Sequence, residues 1–115
     1  MERGFEDLDL TPKMADVIKV FLEDPAEPRY GFELMHITRQ PSGTLYPNLA
    51  TLEKHGWLIL GKEDIDPRAE GRPARKFYRI SGAAIPAARV QVAALREHYQ
   101  AAAMWLRLRA ESGAL

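Results

Sequence analysis

A mainly α-helical chain with one small β-hairpin is predicted by three features of this sequence. Apolar residues recur at helical spacing after Thr11-Pro12, a pair that is typical of a helix start. Two short runs rich in aromatic and branched residues, 57–60 and 76–80, have the character of paired strands. From residue 81 onward the chain is rich in alanine and keeps a helical pattern. These features favour a small domain followed by one long helix.

Three short helices are predicted before the first strand. Thr11 caps the first, whose apolar face consists of Met14, Val17, Ile18, Phe21 and Leu22. The second is predicted over Gly31–Thr38, with one face formed by Phe32 and Met35. The third ends near His55, because Gly56 suits the left-handed conformation that closes many helices. Its apolar face consists of Leu45, Leu49 and Leu52.

The 15 residues that join the two strands, 61–75, form a long loop with segregated charges. Residues 61–71 hold four acids against two bases, whereas 72–80 hold four bases and no acid: Arg72, Arg75, Lys76 and Arg79. This basic cluster is either a phosphate-binding surface or a solvated hairpin balanced by its acidic neighbour. Three helices followed by a two-stranded hairpin, the wing, are the layout of a winged helix-turn-helix. We predict this domain at residues 1–80 and a C-terminal dimerisation helix at residues 81–115.

The side chains on the outer face of the third helix are short, polar and uncharged. They are Thr44, Pro47, Asn48 and Thr51. Hydroxyl and amide groups suit base edges and phosphate oxygens in a major groove. Pro47 distorts a helix that begins at Pro41 but fits one that begins near Thr44, and the sequence leaves both starts open. In the wing, Arg72 lies between a glycine and a proline, and such a stiff cationic loop can enter a minor groove. Together, helix and wing predict a two-point contact with double-stranded DNA.

The C-terminal helix carries a heptad seam in which spacings of three and four alternate. The seam consists of Ile85, Ala88, Val92, Leu95, Tyr99, Ala102 and Leu106. A seam of this length needs a partner helix, and the sequence contains no second long amphipathic helix. We therefore predict a homodimer, with packing of the seam on its own domain as the alternative.

Three blocks of the sequence resemble the signature of the PadR-like transcriptional regulators. They are Y-G-F-E-L at 30–34, S-G-T-L-Y-P-N-L-A-T-L-E-K-H-G-W-L at 42–58 and G-R-P-A-R-K-F-Y-R-I at 71–80. The resemblance covers residues 11–82 and implies a winged helix-turn-helix, a homodimer built on C-terminal helices and repression at a roughly palindromic operator. It places Ser42, Thr44, Tyr46, Pro47 and Asn48 at the DNA-facing start of the recognition helix, and Arg72 and Arg75 in the wing. Thr51 and Lys76 complete the predicted DNA-binding set.

Other kinds of function lack the residues that they need. The absence of cysteine excludes disulfides, thiolate zinc sites and cysteine nucleophiles. The three histidines lie on three different predicted helices, so we expect no metal site, no cofactor and no enzyme. No apolar run approaches the ~20 residues of a membrane span, and the acidic residues 1–7 do not resemble a signal peptide. We therefore expect a cytoplasmic protein.

Two alternatives to DNA binding remain open. The first is a protein-interaction module with the same winged fold. The second is a small-molecule sensor whose effector pocket lies between the C-terminal helix and the winged domain. The predicted lining of this pocket is Met104, Trp105 and Leu108, which lie off the seam. The formal net charge of zero argues against indiscriminate binding of nucleic acid, but leaves specific binding open.

Overall fold

The computed structural model describes residues 8–113, in which five α-helices and three β-strands form a winged helix domain with a long C-terminal helix. In chain order the elements are α1 (Pro12–Glu23), β1 (Arg29–Tyr30), α2 (Gly31–Thr38), α3 (Ser42–Lys54), β2 (Leu58–Lys62), α4 (Pro67–Glu70), β3 (Lys76–Ile80) and α5 (Ile85–Ser112). The fold class and the positions of the predicted helices and strands are thus confirmed. The acidic N-terminal segment discussed above lies outside the described residues.

The sheet differs from the predicted two-stranded hairpin because it has a third strand. β3 lies in the centre, and both β1 and β2 pair with it antiparallel. β1 is only two residues long, with Arg29 opposite Tyr78 and Tyr30 opposite Phe77. The predicted loop 61–75 also differs, since β2 extends to Lys62 and the single turn α4 lies within the loop.

The core is formed where α1 and α3 meet the sheet. Thr11 caps α1 as predicted, because its side chain accepts a hydrogen bond from the Met14 amide. The three leucines of α3 are fully buried, which confirms the predicted inner face of that helix. The fully buried side chains also include Val17, Ile18, Phe21, Leu34 and Trp57.

The first half of α5 belongs to the same core. Ala88 and, just before the helix, Ala84 are completely buried, and Ile85, Val92 and Leu95 pack against the core cluster. Gln91 fixes residues 8–10 to α5, since its amide donates to the Leu8 carbonyl (2.9 Å) and accepts from the Leu10 amide (2.8 Å). The core therefore extends past residue 80, and the domain boundary placed there stays a prediction.

The second half of α5 projects away from the domain. The radius of gyration is 17.7 Å, whereas a compact domain of this length has a value of about 13 Å. Among the exposed side chains on this half are large apolar ones: Tyr99, Met104, Trp105, Leu106 and Leu108. None of the described helices is long and apolar enough to cross a membrane.

Candidate nucleic-acid interface

The turn between α2 and α3 sets the position of α3, the predicted recognition helix. Arg39 adopts the left-handed conformation (φ 57°, ψ 30°), which closes α2. Gln40 is buried, and its amide donates a 2.9 Å hydrogen bond to the Lys13 carbonyl. Pro41 then caps α3. The start of α3 is thereby tied to the first turn of α1.

Pro47 lies inside α3, beyond its first turn. The helix begins at Ser42, so the earlier of the two predicted starts is close to the observed one. Because proline has no N–H, the Gly43 carbonyl lacks its usual helical donor, and Gly43 is exposed to solvent. The Thr51 hydroxyl donates a 3.1 Å bond to the Pro47 carbonyl, so this predicted DNA contact is engaged within its own helix.

The predicted contact residues of α3 lie on two sides of the helix. Ser42, Tyr46 and Pro47 are exposed, whereas Thr44, Asn48 and Thr51 have intermediate exposure. Thr44, Pro47 and Asn48 line a groove of about 550 Å³ together with Thr11, Pro12, Lys13 and Gly43. Asn48, which the sequence predicts to be exposed, has only intermediate exposure because the first turn of α1 lies beside it. Its side-chain amide nevertheless has no hydrogen-bond partner among residues 8–113.

Tyr46 lies on the flank of α3 that faces α2. It packs over Gly31 so closely that a Cβ at that glycine would come within 2.8 Å of the tyrosine ring carbons. Phe32 is 57% exposed and stacks on Tyr30 with ring centroids 5.6 Å apart. Together with residues of the wing, these residues line a groove of about 460 Å³: Tyr30, Gly31, Phe32, Tyr46, Pro73, Ala74, Arg75, Lys76 and Tyr78. Burial raises the pKa of Tyr78 in this groove.

Glu63 holds the two ends of the wing loop together. Its backbone N–H donates to the Arg75 carbonyl (2.9 Å), and its Oε1 accepts the Arg75 N–H (2.8 Å). Its carboxylate also accepts two bonds from the Arg72 guanidinium, of 2.8 and 3.1 Å. The bonds from Arg72 and from the Arg75 amide lower the pKa of Glu63 to about 2, and the same pair raises the pKa of Arg72. Of the two interpretations of the basic cluster, the structure therefore supports, at Arg72, a hairpin whose positive charge is balanced by an acidic neighbour.

The other wing cations are in different environments. The Arg75 guanidinium lies 5.8 Å from the centroid of the Phe32 ring. Arg79 donates a 2.9 Å bond to the Ala26 carbonyl and is therefore engaged away from the loop. Lys76 is exposed and stands opposite Lys62 across the strand pair, and neither forms an ion pair within the described residues. Sequence analysis did not single out Lys62, because the register that pairs the two lysines is visible only in the folded sheet.

The predicted dimer seam is divided between two environments. Ala88 is fully buried within its own chain and is unavailable to a partner, which contradicts its assignment to the dimer interface. Ile85, Val92 and Leu95 are likewise partly covered by their own domain, as the alternative interpretation predicted. Tyr99, Ala102 and Leu106 are exposed.

A groove between α1 and α5 does exist, but not with the predicted lining. It has a volume of about 470 Å³, and the residues that line it are Pro12, Ala15, Asp16, Lys19, Leu95, Arg96, Tyr99, Gln100 and Ala103. Met104, Trp105 and Leu108 lie outside it, and Trp105 instead stacks with the Arg109 guanidinium at 4.8 Å. The described residues contain no cluster of three or more histidine, aspartate or glutamate side chains that could hold a metal ion.

A solved structure with a similar fold is one named "Possible transcriptional regulator from Methanosarcina mazei Go1". The two chains superpose with a TM-score of 0.57 at 18% sequence identity, over 85% of this chain and 78% of the other. This likeness supports the winged helix fold. No family model matches the chain, and no curated protein matches it either. Membership of the PadR-like regulators therefore stays a prediction that depends on the three sequence blocks.

Proposed function

We propose that this protein is a sequence-specific DNA-binding transcriptional regulator. The observation that carries the proposal is one groove lined by Tyr46 of α3 and by Arg75 and Lys76 of the wing. A groove that joins a recognition helix to wing cations lets one protomer contact a major groove and the adjacent backbone. The name of the structural neighbour is consistent with such a role.

The charges at the end of the wing favour an anionic partner. Lys62 and Lys76 are directly opposite in the antiparallel pair, an arrangement in which like charges are destabilising. A phosphate backbone relieves that repulsion and releases counterions. Neither lysine has an ion-pair partner among residues 8–113 that would do so instead.

In this proposal the protein is a homodimeric repressor that binds a roughly palindromic operator. Its proposed location is the cytoplasm. Support for the dimer comes from the exposed half of α5, where Tyr99 and Leu106 are each 52% exposed. Apolar side chains of this size, repeated along one projecting helix, are typical of an interaction surface. Two copies joined through this half of α5 place two recognition helices on one DNA duplex, which matches the symmetry of a palindromic site.

Selection of DNA from a random pool by the purified protein tests the proposal. We expect a recurrent, roughly palindromic sequence, and a gel shift with that sequence that weakens steeply as salt is raised. Recovery of unrelated sequences with no enrichment would contradict specific DNA binding. In that case the protein-interaction module becomes the better interpretation of the same fold.

A further inference from the structure

We infer that Arg72 and Glu63 are positioning residues of the wing, and that Arg75 and Lys76 are the wing cations that meet DNA. This inference rests on the proposed DNA-binding function and divides the basic cluster into two roles. It differs from the expectation drawn from sequence, in which Arg72 enters a groove of the DNA.

The contacts of Arg72 use three of its five N–H donors, two of them on one carboxylate. Its Nη1 donates to Glu63 Oε1 at 2.8 Å and to the Pro73 carbonyl at 3.2 Å, while its Nη2 donates to Glu63 Oε2 at 3.1 Å. A bidentate arginine–carboxylate pair is among the strongest hydrogen-bonded pairs in proteins. A phosphate that took the paired donors would break this pair and leave the Glu63 carboxylate uncompensated beside the DNA. As a pair, the two side chains also present no net charge to the duplex.

The same carboxylate fixes the backbone that carries the DNA-facing cations. Glu63 Oε1 accepts the Arg75 N–H, so the side chain of residue 63 holds the chain twelve residues later. The Arg75 side chain extends from this point over the Phe32 ring of α2. Lys76, the next residue, lines the groove that also contains Tyr46. Without the Glu63–Arg72 pair, the backbone that carries Arg75 and Lys76 must instead be ordered when DNA binds, which lowers affinity but still allows both phosphate contacts to form.

Salt dependence separates positioning from contact. We expect Arg72→Ala to weaken operator binding while the slope of log K against log salt stays unchanged. Lys76→Ala should lower the magnitude of that slope by about 0.9 per protomer, the value for one phosphate contact. A loss of about 0.9 in Arg72→Ala would overturn the inference, because it would show that Arg72 neutralises a phosphate.

The Glu63→Ala variant should change DNA affinity in opposite directions, depending on whether Glu63 competes with DNA or positions the wing. If Glu63 merely competes with DNA for Arg72, removal of its negative charge tightens binding. If Glu63 positions the wing, the same change weakens binding, and Glu63→Gln weakens it less because the amide oxygen still accepts the Arg75 N–H. Tighter binding by Glu63→Ala would therefore overturn the inference.

Hydrogen exchange of the Arg75 amide provides a test without DNA. We expect Arg72→Ala and Glu63→Ala to raise its exchange rate by about fivefold, the factor that corresponds to one ordinary hydrogen bond. Arg68→Ala is the matched control, since Arg68 is exposed on the same loop and forms neither a hydrogen bond nor an ion pair with Glu63. An unchanged rate in both variants would overturn the positioning role even if the protein binds DNA. If the protein selects no DNA, the proposed function fails, and this exchange rate alone decides whether the pair positions the wing.

Discussion

The replacement of Gly31 by alanine tests whether α2 determines the position of Tyr46. Gly31 is the first residue of α2 and is buried beneath the tyrosine ring. A Cβ at this position would lie 2.8 Å from both Cε1 and Cζ of Tyr46, and closer still to its hydroxyl oxygen. These separations are shorter than van der Waals contact, so the ring must move.

The energetic cost depends on how easily the ring can move. Overpacking of a folded protein costs about 1–3 kcal/mol. Tyr46 is 44% exposed and can rotate towards solvent, which places the loss of folding free energy near 1 kcal/mol. We propose that the Tyr46 hydroxyl donates to a phosphate, a charge-assisted bond worth about 1.5–3 kcal/mol, so displacement of the ring should cost more in DNA affinity than in stability. Urea unfolding at fixed protein concentration and titration of the selected operator measure the two quantities.

The Tyr46→Ala background is the control for this experiment. Without the ring, the three atoms nearest to that Cβ are gone, so Gly31→Ala should no longer reduce stability and should raise it slightly, by about 0.4–1 kcal/mol, with no further change in DNA affinity. This double-mutant cycle assigns the effect to the one contact. Equal losses on both backgrounds would refute the reasoning, and so would unchanged operator affinity in a Gly31→Ala protein that has lost stability.

Three further predictions concern the dimer, base recognition and the wing. Leu106→Glu should convert a dimer to a monomer in sedimentation at micromolar concentration, because it places a charge in an apolar interface; the exposed, off-seam Ala93→Glu should leave the dimer intact, and a monomeric wild type would contradict the proposal. Asn48→Ala should relax preference at one base pair of each half-site, worth about 1–3 kcal/mol, with little change on random DNA; equal weakening on every sequence would show a phosphate contact instead. The carboxyl of Glu63, which faces Arg72 and the Arg75 amide, should titrate with a midpoint of about 2 rather than 4.5 when followed by NMR. Because its pKa is lowered by folding, its ion pair should stabilise the wing fully above pH 4.5 and lose this effect as the pH falls towards 2.

Elements with a strong local pattern could be predicted from the sequence, whereas those held by distant contacts could not. The inner faces of α1 and α3 follow from helical periodicity, and both are observed. β1 has only two residues, Arg29 and Tyr30, and its pairing depends on β3 almost fifty residues later. No pattern so short distinguishes a strand from a turn.

The candidate site shows the same division. The sequence identifies α3 and the basic cluster of the wing, since both are local features. It does not show that α1 lies beside Asn48, nor that Glu63 lies within hydrogen-bond distance of Arg72 across the loop. The segregated charges of residues 61–80 were nevertheless a usable signal, because a block of acids beside a block of bases favours pairing between them. The heptad seam was ambiguous for a similar reason. An apolar helix face predicts that something covers it, but it does not indicate whether the same chain or a second copy does so.

The charge distribution decides how this protein can achieve specificity. With a formal net charge of zero, the whole molecule gives no long-range attraction to DNA. If Arg72 is neutralised by Glu63, the cations left at the end of the wing are Lys62, Arg68, Arg75 and Lys76. So few phosphate contacts in each protomer give weak binding to DNA in general. Tight binding then requires base contacts from α3 and the simultaneous use of two protomers, so an operator with one damaged half-site should lose most of its affinity.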